Sequence, residues 1–228
     1  MSIEKLLAGL SVVLLTSSAQ AGVIYSLEDA GILSSQVTGA TTIDFNDGTC
    51  GAYVGCSNAG LVTGSVAGQY ASPHMITDGY MSVANGSGTL LLGDTYDYFG
   101  LYWGSVDTYN YLSFYLGDVL VDMFSGSDLA GLSANGKQTW WGSNRYVNFY
   151  FNDGDLFDRV VVRSDGYAFE SDNHAYASTS LQRTALTVTV PEPGTLFLLG
   201  VGLLGIVVIQ RRRGGALLSG TRPRVARI

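Results

Sequence analysis

The sequence predicts a mainly β protein, with a β-sandwich or jelly-roll ectodomain followed by a single C-terminal transmembrane helix. Two observations carry this prediction. Many short segments alternate apolar and polar side chains with the period of a β-strand, and Asp-Gly or Asn-Gly pairs separate them. Close to the C-terminus, a charge-free apolar run is followed at once by arginines, as expected for a membrane span with a cytoplasmic end.

Residues 1–21 have the three parts of a secretory signal peptide. Lys5 supplies a basic start, residues 6–15 are apolar, and Ala19-Gln20-Ala21 offers the small residues of a cleavage site. We therefore expect the chain to be exported and the mature protein to start at Gly22.

Residues 22–189 form the predicted ectodomain, a single β-sandwich domain. Its clearest strand spans residues 145–151, where Val147, Phe149 and Phe151 share one face. The other predicted strands are residues 41–46, 88–92, 97–103, 110–116, 118–124, 156–163, 166–170 and 184–190.

The charge of the chain is unevenly distributed. The 228 residues carry a formal net charge of −7 and are 46% hydrophobic, which excludes intrinsic disorder. The ectodomain alone has 17 acidic and five basic residues, a formal charge of −12. Such a domain lacks the basic surface that a nucleic-acid binder needs. It favours calcium binding through carboxylates, or simply solubility, and both interpretations stay open.

Cys50 and Cys56 are the only cysteines of the chain. Two cysteines six positions apart in an exported domain predict a disulfide that closes a small loop. A two-thiolate metal site is the weaker alternative, because no CxxC motif or nearby histidine completes it.

The C-terminal region is organised around the apolar run from Leu196 to Ile209. The predicted span covers about residues 195–210, and the basic residues 214–228 form a predicted cytoplasmic tail. Residues 200–205 match GxGxxG, but within an apolar span small residues favour helix packing over nucleotide binding.

A specific sorting motif precedes this span. Pro191-Glu192-Pro193, the short span and the cluster of Arg211, Arg212 and Arg213 resemble the PEP-CTERM sorting signal of Gram-negative bacteria, here residues 190–213. The resemblance implies recognition by exosortase, an integral-membrane cysteine protease, and an association with exopolysaccharide producers. The continuation beyond Arg213 departs from the usual pattern of the family.

A second resemblance concerns the two ends of the ectodomain. Residues 42–48 and 167–176 are similar to the first and last strands of PEP-CTERM ectodomains and of jelly-roll carbohydrate-binding modules. This resemblance implies a structural Ca²⁺ held by Asp44, Asp47 and Asp172. A pair of terminal strands with surface aspartates and no ion is the alternative.

The aromatic residues of the ectodomain suggest carbohydrate binding. Aromatic faces stack on sugar rings, and Trp140, Trp141 and Trp103 are the candidate contacts. Neighbouring residues of a strand point to opposite faces, so one of Trp140 and Trp141 is expected to be exposed. The alternative is that these aromatics build the core and the edges of the sandwich.

Enzyme motifs are missing from the sequence. No serine lies in a GxSxG motif, and the two histidines, His74 and His174, form no HExxH pair. We therefore predict a non-catalytic structural or adhesive protein that is anchored in the inner membrane and handed by exosortase to the cell surface or the biofilm matrix. Its other expected partner is exopolysaccharide. The alternatives are a carbohydrate-binding lectin and a secreted glycoside or ester hydrolase on the same scaffold.

Overall fold

The computed structural model describes residues 22–152 and 154–179, and these residues form a mainly β structure. No α-helix occurs among them, and one 3-10 turn spans Trp141–Ser143. In chain order the strands are β1 (Ile24–Leu27), β2 (Thr41–Ile43), β3 (Gly55–Ser57), β4 (Gly60–Thr63), β5 (Gly79–Val83), β6 (Gly86–Tyr96), β7 (Tyr98–Gly104), β8 (Asn110–Leu116), β9 (Val119–Ser125), β10 (Arg145–Tyr150), β11 (Phe157–Ser164) and β12 (Phe169–Ala177).

The strands form two antiparallel sheets. The seven-stranded sheet has the order β1-β10-β7-β12-β5-β4, and β2 pairs with β12 outside this path. The five-stranded sheet has the order β3-β6-β11-β8-β9. Strand β12 pairs with β7 along one edge and with β5 and then β2 along the other, so it lies inside the larger sheet.

One hydrophobic core lies between the two sheets. Phe114 of β8 contacts Phe99 of β7 and Phe149 of β10, with ring centroids 5.6 and 5.3 Å apart. Alternation places these side chains on the inner face of their strands, where burying large aromatic rings stabilises the sandwich. The prediction of a mainly β ectodomain is therefore confirmed.

The outer face of the seven-stranded sheet is also covered. Tyr80, Tyr102 and Tyr146 are buried there beneath loop residues, in a second cluster with Ile76. The Tyr102 hydroxyl donates a hydrogen bond to the His74 carbonyl oxygen, 2.8 Å away. Many tyrosines of this chain thus bury their rings and satisfy their hydroxyls against loop backbone. The loops that they support form the walls of the candidate site.

Candidate functional site

A cleft of about 710 Å³ opens on this loop-covered side of the seven-stranded sheet. Strand β12 supplies Glu170, and the segment between β7 and β8 supplies Asp107 and Tyr109. The lining residues also include Gln69, Tyr70, Ser105, Asn135, Gln138 and Tyr167. Two carboxyl groups, several amides and three tyrosine rings therefore meet in one open depression, of the size that small-molecule sites have.

Glu170 forms the floor of the cleft and is only 2% exposed. Its Oε1 accepts a hydrogen bond from the Ala71 backbone N–H at 2.9 Å, and its Oε2 accepts one from the Ser105 hydroxyl at 2.8 Å. Burial, with a smaller contribution from the negative charge of Asp107, raises the pKa of Glu170 to about 7. The group is therefore held in place and can exist in either protonation state near neutral pH.

Asp107 lies on the wall of the cleft beside Glu170. Its Oδ2 accepts a hydrogen bond from the Tyr109 hydroxyl at 2.6 Å, and that hydroxyl also lies 3.0 Å from the Tyr167 carbonyl oxygen. Gly136 passes close to the carboxylate, since a Cβ added there would lie 2.7 Å from both Asp107 oxygens. Its φ of +65° favours glycine as well. Backbone and tyrosine together fix this carboxylate.

The loop that carries Trp140 borders the cleft. Asn144, which is fully buried, donates from its Nδ2 to the carbonyl oxygens of Lys137 and Trp140 at 2.8 and 2.9 Å. Its Oδ1 accepts the Ser105 backbone N–H at 2.9 Å, which connects this loop to the cleft. Trp140 is 44% exposed, with the Lys137 ammonium 5.1 Å from its ring centroid.

The other two predicted glycan contacts are less accessible. Trp141 is half-buried, and its ring lies 4.6 Å from the His74 ring in an edge-on contact. Trp103 is fully buried, and its ring stacks on Phe169 at 4.7 Å. Trp103 therefore offers no surface to a ligand, because it points from β7 into the core, and its proposed role in glycan contact is wrong.

Two of the three predicted calcium ligands lie close together. Asp44 follows β2 and Asp172 lies in β12, at the point where β12 exchanges β5 for β2 as its partner. Asp172 is 2% exposed and its Oδ1 has no hydrogen-bond partner. Burial, and then the charges of Asp78 and Asp44, raise its pKa to about 7. Asp78, which directly precedes β5, therefore joins this acidic junction.

Asp47 does not share this arrangement. Its Oδ1 accepts hydrogen bonds from the backbone N–H and the hydroxyl of Thr49, both at 2.8 Å, and these bonds lower its pKa. It therefore forms a local turn. Within the described part of the chain, no three or more His, Cys, Asp or Glu side chains are arranged to hold a metal ion. Calcium binding by Asp44, Asp47 and Asp172 stays a prediction, and of these residues only Asp44 and Asp172 belong to the acidic junction.

The predicted disulfide is present. Cys50 and Cys56 are bonded, and the loop between them joins β2 to β3. Both cysteines are half-buried and pack against the main core.

Sequence reasoning missed Glu170 and Asp107. A signal for Glu170 was present, because it directly follows the inward-facing Phe169 and must therefore face the opposite side of its sheet. An acidic residue at such a position is expected to face solvent. Glu170 is buried because the loop around Ala71 covers it, and no local sequence pattern predicts the position of that loop.

The predicted signal peptide at residues 1–21, the strand at 184–190, the sorting motif, the span at 195–210 and the tail at 214–228 lie outside the described residues. Across residues 22–152 and 154–179, no helix has the length and apolarity needed to cross a membrane.

Comparison with known proteins identifies the C-terminal motif. Residues 189–213 match the family model of the PEP-CTERM protein-sorting motif, which confirms the prediction made from Pro191-Glu192-Pro193 and the arginine cluster. The motif implies export, a C-terminal membrane-anchoring sorting signal and processing by exosortase. No curated protein and no solved structure matches the chain significantly.

Proposed function

Because the chain carries a PEP-CTERM protein-sorting motif at residues 189–213, we propose that it is a structural or adhesive protein of the cell surface or extracellular matrix that binds carbohydrate through its ectodomain. The sorting motif supports delivery by exosortase from the inner membrane. The cleft between β12 and the loops of the seven-stranded sheet supports the binding activity. Exopolysaccharide is the proposed ligand.

The chemistry of the cleft carries the proposal. Tyr167 at its rim is 58% exposed, and Trp140 on the adjoining loop is 44% exposed. Exposed aromatic rings stack on the apolar faces of sugars, while amides and carboxylates bind sugar hydroxyls. Gln69, Gln138 and Asn135 supply amides to the lining, and Asp107 and Glu170 supply acceptors.

A glycan array probed with the full chain tests the binding activity. We expect binding that Tyr167→Ala and Trp140→Ala each weaken. Tyr111→Ala is the matched control, because Tyr111 lies on the five-stranded sheet beneath the Arg163 guanidinium and away from the cleft. No binding to any glycan, or equal losses in all three variants, would contradict the proposal.

Sorting has its own test. In a host that contains exosortase, the intact mass of the released protein should correspond to a form without Arg211–Arg213. Replacement of Pro191, Glu192 and Pro193 by alanine should leave the arginines on the protein. A released wild-type protein that always retains them would contradict sorting by exosortase.

A glycoside hydrolase is the second candidate, and one observation favours it. Asp107 and Glu170 face the same cleft, and glycosidases use a protonated carboxyl group with an ionised one. The raised pKa of Glu170 suits the role of the protonated carboxyl group, which acts as the general acid. Release of reducing sugar that Glu170→Gln abolishes, without loss of glycan binding, would favour this candidate over the binding protein.

A further inference from the structure

In the described part of the chain, the cleft is lined by acidic side chains and by no basic ones. Asp107 and Glu170 contribute two carboxyl groups, and the lining residues include no Lys, Arg or His. Lys137 lies between Gly136 and Gln138, which both line the cleft, but its ammonium lies over the Trp140 ring. Among the residues described around the cleft, no basic side chain therefore balances the two carboxyl groups.

The carboxyl oxygens have acceptor positions that the hydrogen bonds of the protein do not use. Each Glu170 oxygen accepts one hydrogen bond from the protein, and Asp107 accepts the Tyr109 hydroxyl through Oδ2. A carboxylate offers about four acceptor positions, so further donors can be bound. The protein partners are all neutral groups, and a cationic donor would add a charge-assisted hydrogen bond.

We propose that the cleft selects sugars that carry a protonated amine, with Asp107 and Glu170 as the groups that bind the ammonium. This inference rests on the proposed carbohydrate-binding function and names the class of sugar. Anionic sugars such as uronates are excluded, because their carboxylates would be held beside the Asp107 carboxylate and, where it is ionised, the Glu170 carboxylate.

The tyrosines of the cleft favour the same ligand. Tyr70, Tyr109 and Tyr167 line it, and the face of a tyrosine ring attracts a cation. An N-acetylated sugar keeps the ring and hydroxyls but loses the charge, so it would retain stacking and lose the ionic contacts. The difference between these two sugars therefore isolates the amine.

Titration calorimetry of the full chain at low salt near pH 7 tests the inference. The probes are glucosamine oligomers, N-acetylglucosamine oligomers of the same length, and galacturonate oligomers. We expect glucosamine oligomers to bind at least about tenfold more tightly than the acetylated ones. This preference should shrink as salt is added, and galacturonate should not bind.

Variants assign the preference to the cleft. Asp107→Asn and Glu170→Gln should each remove most of it, by weakening binding of the glucosamine oligomer far more than binding of the acetylated oligomer. Asp118→Asn makes the same change of charge at an exposed turn before β9 and should keep the preference. Asp107→Asn keeps the test valid if Glu170→Gln fails to fold.

The outcomes separate this inference from the proposed function. Equal binding of the acetylated and free-amine oligomers would overturn the selectivity and leave carbohydrate binding in place. Binding of a lysine peptide as tightly as the glucosamine oligomer would show that the sugar is not recognised, which also overturns it. No binding of any oligomer would overturn the carbohydrate-binding function and this inference together.

Discussion

Glu170 and Asp172 lie two residues apart on β12, share the face directed away from the core, and are each about 2% exposed. Burial raises the pKa of both to about 7. Glu170 is hydrogen-bonded by Ala71 and Ser105, whereas Asp172 has a buried oxygen without a partner. One strand face thus carries the floor of the cleft and the acidic junction.

The stability of the ectodomain should depend on pH through these two carboxyls. In the folded protein they keep their protons up to about pH 7, whereas in the unfolded chain they release them near pH 4. Between these values the folded state binds more protons, so stability falls as the pH rises. His174 acts in the opposite direction, because burial lowers its pKa to about 3 and the unfolded chain takes up a proton below about pH 6.5.

Glu170→Gln isolates the contribution of one carboxyl. The variant should gain stability relative to the wild type as the pH rises from 5 to 8, by up to about 3 kcal/mol. This corresponds to several degrees in Tm for a domain of this size. Thermal melts of both proteins in chelator measure the difference. A difference in Tm that is the same at both pH values would contradict the raised pKa.

The sequence predicts strands well where alternation is unbroken. Residues 110–116 were predicted and are observed as Asn110–Leu116, because Leu112 and Phe114 point inward between outward residues. The strand predicted at 41–46 ends at Ile43, since Phe45 takes a φ of 56°. The strand predicted at residues 166–170 is observed as Phe169–Ala177. It is longer because Asp172 and Asn173 continue it through a register shift.

The cleft was beyond prediction for a different reason. Its residues come from β12, from the segment after β7 and from three other loops, and only the folded sheet brings these together. The exposure of Trp140 likewise depends on loop geometry that the sequence pattern does not predict. Alternation in a strand predicts that one of Trp140 and Trp141 is exposed, but Trp140 precedes a 3-10 turn, and the loop geometry exposes it.

Calcium should stabilise the protein if it binds at the acidic junction. An ion bound at Asp172 would give its unpaired oxygen a partner and offset the repulsion that Asp78 and Asp44 exert on it. At a free concentration a hundred times the Kd, binding adds about 2.7 kcal/mol to stability. Melts in Ca²⁺ and in chelator near pH 7.5 measure this contribution.

Two variants locate the ion. Asp172→Asn should abolish the response to calcium. Asp47→Asn should retain it, because the Asp47 carboxylate is engaged by Thr49. The same Tm in calcium and in chelator for the wild type would remove the ion from this protein.

The disulfide should make only a modest, local contribution to stability. Cys50 and Cys56 are six positions apart, and loop-closure entropy for so short a loop corresponds to about 2 kcal/mol. The double variant Cys50→Ala/Cys56→Ala should therefore unfold at a Tm lower by several degrees but keep its fold. Circular dichroism and thermal melts check both points. Loss of the β signal at room temperature would show that the disulfide is essential to the fold.

Trp103 and Trp140 should differ sharply in their effects on stability. Trp103→Ala removes a fully buried ring that stacks on Phe169, and we expect a loss of about 3–5 kcal/mol in the free energy of unfolding. Trp140→Ala changes an exposed side chain, and its effect should stay within about 0.5 kcal/mol. Denaturant unfolding measures both.

Trp103→Phe separates packing from hydrogen bonding at the buried site. The Trp103 indole N–H has no partner, so phenylalanine removes an unsatisfied donor while it keeps most of the stacking on Phe169. The loss should therefore be much smaller than that of Trp103→Ala. If Trp103→Phe costs as much stability as Trp103→Ala, the expectation is contradicted. The stacked ring, which phenylalanine keeps, would then not be the source of the stability, and the indole N–H would have a hydrogen-bond partner in solution.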